Sequence, residues 1–175
     1  NTIFFPAREK NDSLNLEDFS KAIQFHFDHS FIVSFKSWED AFDYIGHKVT
    51  DRTAIIIDEF PYIIEENPSV KSLLQHAIDH DFKSKNIFLI LCGSSISIME
   101  NEIMGRQSSL HDRQTATLEI KPYDYLESSA FFPNYSNLDK ILAYGILGGI
   151  PRYLEAFDSS KTIEENIASK IIRNG

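Results

Sequence analysis

The sequence predicts an α/β fold built on a parallel sheet and followed by a small helical appendage. Two short apolar runs, TAIIID at 53–58 and NIFLILCG at 86–93, are rich in β-branched residues and too short to be helices of their own. Each reads as a strand covered on both faces, a pattern that belongs to parallel sheets. Segments with helical spacing, about 10–15 residues each, separate the strands, which is the alternation of an α/β domain. After Pro122 the periodicity turns helical throughout.

Taken in order, TIFF at 2–5 is aromatic and β-branched and reads as a strand ending at Pro6. From Asn15, read as an N-cap, Leu16, Phe19, Ile23 and Phe27 recur at helical spacing, with Glu17 and Asp18 in the first turn where the helix dipole favours acids. FIVSF at 31–35 fits a short strand or a buried connector equally. Ser37 reads as the N-cap of a helix that places Trp38, Phe42 and Ile45 on one face. Val70, Leu73, Leu74, Ala77 and Ile78 mark the next helix, and SSISIMENEIM predicts one opening at Ser94 or Ser95. TATLEI at 115–120 alternates as a last strand would. YDYLESSAFF, NLDKILAYGILGG, IPRYLEAFD and TIEENIASKIIRN predict three or four short helices broken by Pro133, Gly148, Gly149 and Pro151. The expected division is therefore a partial α/β core over 1–121 and a helical subdomain over 122–175.

Composition narrows the function classes. The 175 residues carry a formal net charge of −9, so a broad basic footprint for nucleic acid or an anionic membrane is not expected. The single cysteine, Cys92, excludes an internal disulfide and a Cys-based zinc site. No apolar run approaches the roughly 20 residues that span a bilayer. A cytoplasmic setting is expected. The six histidines include the pair His76 and His80, spaced one helical turn apart; with no clear third ligand, that pair reads as a solvated helix face. CGSSIS lacks the second glycine of a nucleophile elbow.

The strand end at 53–60, TAIIIDEF, holds the main chemical candidates. Ligands of open parallel sheets bind outside the carboxyl ends of the strands, so Asp58 and Glu59 lie where chemistry is usually placed. One carboxylate there can hold Mg²⁺ while its neighbour orients or deprotonates a water attacking a phosphoryl group. The other reading is that the two acids terminate a strand and cap a helix. The second strand ends in Ser94 and Ser95, whose hydroxyls would reach the same edge if the strands are parallel. A helix N-cap role suits them as well.

The ordered set AIIIDEF, FLILCGSS, DRQTATLEIKPY and GILGGIPRYLEAF resembles the archaeal-type ATPases of the AAA+-like P-loop superclass over nearly the whole chain. The resemblance implies a parallel-sheet nucleotide-binding core and a small helical lid, with ATP and Mg²⁺ as substrate and cofactor. It implies Asp58 as the magnesium-side carboxylate of a Walker B strand, Glu59 as the base that activates water, and Ser94 or Ser95 as the sensor hydroxyl. Arg113 matches an arginine before the last sheet strand, and Arg152 matches the lid arginine. The family pattern has glycine before and arginine after Arg113, where this chain has Asp112 and Gln114; Arg106 is an alternative donor from the same loop.

A P-loop needs G-x-x-x-x-G-K-[ST], and none of the seven glycines is followed by lysine. The expectation is a truncated piece of a larger ATPase, lacking the phosphate-binding strand and helix and holding ATP weakly or not at all. Loss of a central strand would expose sheet edges. A rearranged sheet, a strand-swapped dimer or another homo-oligomer, or a partner filling the gap is expected. Two function classes follow: an ATPase module coupling hydrolysis to a change in other macromolecules, and a non-catalytic interaction or regulatory domain that keeps the fold.

Overall fold

The computed structural model describes residues 1–27 and 34–173. They divide into two compact units, Asn1–Thr117 and Leu118–Gly175. The FIVSF expectation falls largely outside the described residues.

In the first unit, β1 (Thr2–Pro6), β2 (Thr53–Asp58) and β3 (Ile87–Leu91) form a parallel sheet in the order β1-β2-β3. Phe4 pairs with Ile56, and Ile56 with Ile90. Pro6 sits at the end of an edge strand, where its missing N–H costs no ladder bond. Helices α1 (Asp12–Phe27), α2 (Trp38–Lys48), α3 (Phe60–Glu66) and α4 (Val70–Asp79) supply the rest of the core. Phe19 is its centre, with ring centroids 5.2 Å from Phe5 and 5.1 Å from Trp38. The Asp12 carboxylate accepts from Trp38 Nε1 at 2.7 Å and Asn67 Nδ2 at 2.9 Å, tying α1, α2 and the turn after α3 together.

Ser37 caps α2 as its sequence predicts, its hydroxyl accepting from the Asp40 amide at 3.0 Å. Helix α1 differs from expectation. It begins at Asp12, where the Asn11 side chain accepts from the Leu14 amide at 3.0 Å. Asn15 lies buried inside the helix, and its amide donates to the carbonyls of Arg8 at 3.0 Å and Lys10 at 3.1 Å. A residue type that favours caps is here used to pin the loop from β1.

The strands are less covered than two continuous apolar runs imply. Ile3, Phe5, Ile55 and Ile57 are buried against the helices, whereas Phe4 and Phe88 on the opposite face are exposed, and Ala54, Ile56 and Ile90 are half-buried. That face has no helix packed on it comparable to the other, and β3 has no strand on its outer edge among the described residues. TATLEI forms no strand either, and Leu118 and Ile120 stand exposed. Alternation alone makes no strand; a ladder needs a neighbour to receive it.

After β3 come a short turn, α5 (Ile96–Ile98), and a π-helical turn over Met99–Ile103. In the second unit α6 (Tyr125–Ser129) opens with a capping box between Asp124 and Glu127, and α7 (Asn137–Leu147) is capped by Ser136, whose side chain accepts from the Asp139 amide. α8 (Pro151–Leu154) and α9 (Ile163–Asn166) follow, with a π-helical turn at Ile167–Ile172. Phe132, Ala143, Leu154 and Phe157 make this unit's own core. Gly149 is required by close approach: a Cβ there would lie 1.9 Å from the Tyr123 carbonyl oxygen. No helix among the described residues is long and apolar enough to cross a membrane.

Candidate active site

The candidate residues Asp58, Glu59, Ser94 and Ser95 lie at the carboxyl ends of β2 and β3. Pairing continues beyond the strands, because the Cys92 amide donates to the Ile57 carbonyl and the Phe60 amide to the Cys92 carbonyl, both at 2.9 Å. Residue 59 is thereby held directly opposite the chain leaving β3. Glu59 itself adopts the left-handed region, at φ 53° and ψ 42°, which costs a non-glycine residue about 1–2 kcal/mol. The turn ends β2 abruptly and starts α3 with Pro61 in its first turn.

Glu59 Oε2 accepts the Ser94 hydroxyl at 3.1 Å and the Ser94 amide at 3.2 Å. Asp58 Oδ1 accepts from the Glu59 amide at 3.1 Å, and the Asp58 carbonyl accepts from Ala7 at 2.9 Å. Both acids are half-buried and Ser94 is exposed, so the cluster opens to solvent. Gly93 permits the approach: a Cβ at this position would lie 2.7 Å from the Pro61 ring and 2.9 Å from the Met99 sulfur. Burial, and then the charges of Asp58 and Glu59, push the Cys92 thiol up, which keeps it protonated and unreactive.

Asp58, Glu59 and Ser94 are thus brought together. Ser95 precedes α5 as its N-cap residue without a side-chain cap bond. Arg113 is engaged elsewhere. Its Nε donates to Asp79 Oδ1 at 2.9 Å and its Nη2 to Asp79 Oδ2 at 2.7 Å, while Nη1 donates to the carbonyls of Ser109 and His111, each at 3.1 Å. Asp79 closes α4, the helix that runs back toward the start of β3, so this pair lies toward the end of the sheet opposite Asp58 and Glu59. Hydrogen bonds from Arg113 hold the Asp79 carboxyl below its usual range. Asp112, standing where the family pattern has glycine, adopts φ 64°. Arg152 is exposed on α8 of the second unit.

No cluster of three or more His, Cys, Asp or Glu able to hold a metal exists among the described residues. A single strand-end carboxylate still suits Mg²⁺, which keeps several waters and takes one or two carboxylates together with substrate phosphates. Asp58 is a strand-end carboxylate of that kind.

Sequence reasoning missed two residues that shape this picture, one away from the strand-end cluster and one within it. Asp79 is 34 residues from its Arg113 partner, and nothing local marks the pair. Gly93 was visible as a glycine directly after an apolar strand, a pattern that often marks close approach of another backbone or ring.

The chain matches a family model described as an ATPase domain predominantly from Archaea over residues 2–157. It is 40% identical over 120 residues to an uncharacterised protein of Methanocaldococcus jannaschii, covering 69% of this chain and 26% of that protein. A second uncharacterised protein of the same organism is 37% identical over 57 residues, which is 32% of this chain and 55% of that protein. The chain therefore spans about a quarter of one relative and about half of the other. A Walker-type ATPase of Pyrococcus abyssi shares the fold, with a TM-score of 0.60 and 18% identity over 95% of this chain and 59% of the other. With a parallel sheet of Walker-type architecture and a family match over most of its length, the chain belongs to the archaeal ATPase family.

Proposed function

We propose that these residues form the water-activating half of an ATP-hydrolysing module, working in the cytoplasm on other macromolecules. The observation that carries this reading is the pair of hydrogen bonds from Ser94 to one carboxylate oxygen of Glu59, which holds that carboxylate at the carboxyl ends of β2 and β3, where a base is expected. In this reading Glu59 takes the proton of the attacking water, and Ser94 holds its carboxylate in place. Asp58 stands beside it as the carboxylate of the magnesium side. Mg²⁺, when bound, would neutralise charge on the phosphates. Ser95 is available as a second hydroxyl. By the family resemblance Arg152 is the remaining candidate for a permanent positive charge on the transferring phosphoryl group, since Arg113 is held by Asp79 toward the other end of the sheet.

The phosphate-cradling strand, loop and helix are not within residues 1–175, since no G-x-x-x-x-G-K-[ST] occurs there. The exposed sheet face at Phe4 and Phe88 and the unpaired edge of β3 are what such a unit, or a swapped strand from another copy, would cover. Residues 1–175 by themselves are then expected to bind MgATP only weakly. Calorimetric titration tests this: no saturable heat at micromolar ATP fits the reading, and micromolar affinity contradicts it. A second reading, a non-catalytic domain that keeps the fold, is favoured by the same missing motif. Hydrolysis assays on the protein as its gene encodes it separate the two.

A further inference from the structure

Helix α7 carries two apolar faces, and its own unit uses one of them. Ala143 and Leu147 pack into the core with Phe132 and Phe157. Leu138, Ile141, Leu142 and Ile146 recur at i, i+3, i+4 and i+8 on the other side, and they are 66%, 54%, 47% and 43% exposed. Taking roughly 200 Å² for a fully exposed leucine or isoleucine, these four leave about 400 Å² of apolar surface, a size at which a patch on a monomer is often functional.

Gly145 lies in the middle of this stripe. A glycine inside an exposed helix costs about 1 kcal/mol relative to alanine. Nothing among the described residues of its own unit repays it, because a Cβ at Gly145 would meet no atom there within 4 Å. A notch flanked by large apolar side chains fits the close approach of a second helix. The pattern is also self-complementary. Two copies of α7 laid antiparallel about a two-fold axis between residues 142 and 145 place Leu142 of each against Gly145 of the other, as an isologous interface requires.

The only charges on α7 are the neighbours Asp139 and Lys140, which cancel, so the stripe joins without the repulsion that a net charge of −9 per chain creates elsewhere. Two stripes bury about 800 Å² of apolar surface before any polar rim is added, which with a rim reaches the lower end of specific interfaces at about 1,200 Å². We propose that α7 is a homodimerisation helix, docking antiparallel on α7 of a second copy through Leu138, Ile141, Leu142 and Ile146 with Gly145 at the crossing. This does not depend on the nucleotide chemistry.

Sedimentation velocity on the 175-residue chain from about 1 to 200 µM tests it, with a reversible monomer–dimer equilibrium expected at micromolar concentrations. Leu142→Glu should leave only monomer while the circular dichroism spectrum is unchanged, since the side chain is half in solvent already. Gly145→Ala should raise Tm by about 2–5 °C through better helix propensity and yet weaken the dimer by roughly tenfold or more. That split holds even if Leu142→Glu disturbs folding, because a merely structural role would move both quantities together. A chain that stays monomeric throughout overturns the proposal. So does a dimer that survives both substitutions, which would put association at the open edge of β3 instead.

Discussion

Ser94 donates both its hydroxyl and its backbone amide to one oxygen of Glu59, at 3.1 and 3.2 Å, across the ends of two parallel strands. The contact joins residues 35 apart, and it exists because hydrogen bonding between the two chains continues past the strands, to Cys92 beyond β3 and to Phe60 beyond β2. Ser94→Ala removes the hydroxyl bond and leaves the amide bond. At an exposed position this should cost at most about 1 kcal/mol of stability by urea denaturation. A loss of several kcal/mol would mean that the contact is structural rather than one that positions a base.

Gly93→Ala should destabilise by about 1–3 kcal/mol, because the new methyl meets the rigid Pro61 ring at 2.7 Å and the strand ends must separate. Thermal unfolding measures the loss. An unchanged Tm would show that α3 can shift freely against β3.

Glu59 and Asp112 have positive φ, at 53° and 64°. Asp112→Gly should stabilise by about 0.5–1 kcal/mol, relieving the backbone without touching the strand-end carboxylates. Glu59→Gly should stabilise similarly while removing the proposed base, a trade of stability against function read by combining urea denaturation with a hydrolysis assay. Destabilisation by Asp112→Gly would contradict the left-handed assignment.

Asp43 on α2 has its carboxyl pushed up by burial first, and then by the charges of Asp81 and Glu39, with His47 pulling the other way. Asp81 Oδ2 is buried and without a hydrogen-bond partner, and a proton on Asp43 would supply one. A folded-state value above the unfolded one means that the folded protein takes up the proton first. This contribution to stability is therefore fully present below the unfolded value and is lost as pH rises through the folded one. Asp43→Asn should raise Tm at pH 7, with the gain shrinking toward pH 4. A gain independent of pH would remove the carboxyl pair as its cause.

Legibility in the sequence followed the range of the interactions. β2, its terminal acids and the cap at Ser37 could be read because each is coded within a few residues: an apolar run with a charged end, or a serine three residues before a free amide. Asn15 misled because its side chain serves the loop at Arg8 and Lys10, while the neighbouring Asn11 holds the helix start. The left-handed turn at Glu59 has no local code, since nothing about glutamate favours it. Arg113 was read as a candidate for phosphate chemistry, and its clamp on Asp79 depends on how α4 returns beneath the sheet. TATLEI had the alternation of a strand and lacked the neighbour that would make it one.

The most direct test of the central claim is single-turnover ATP hydrolysis by the protein as its gene encodes it, comparing wild type with Glu59→Gln and measuring nucleotide affinity alongside. If Glu59 is the base positioned by Ser94, hydrolysis falls by about 100-fold or more while ATP affinity changes by no more than a few-fold. Hydrolysis that proceeds at the wild-type rate with glutamine at residue 59 would contradict the account.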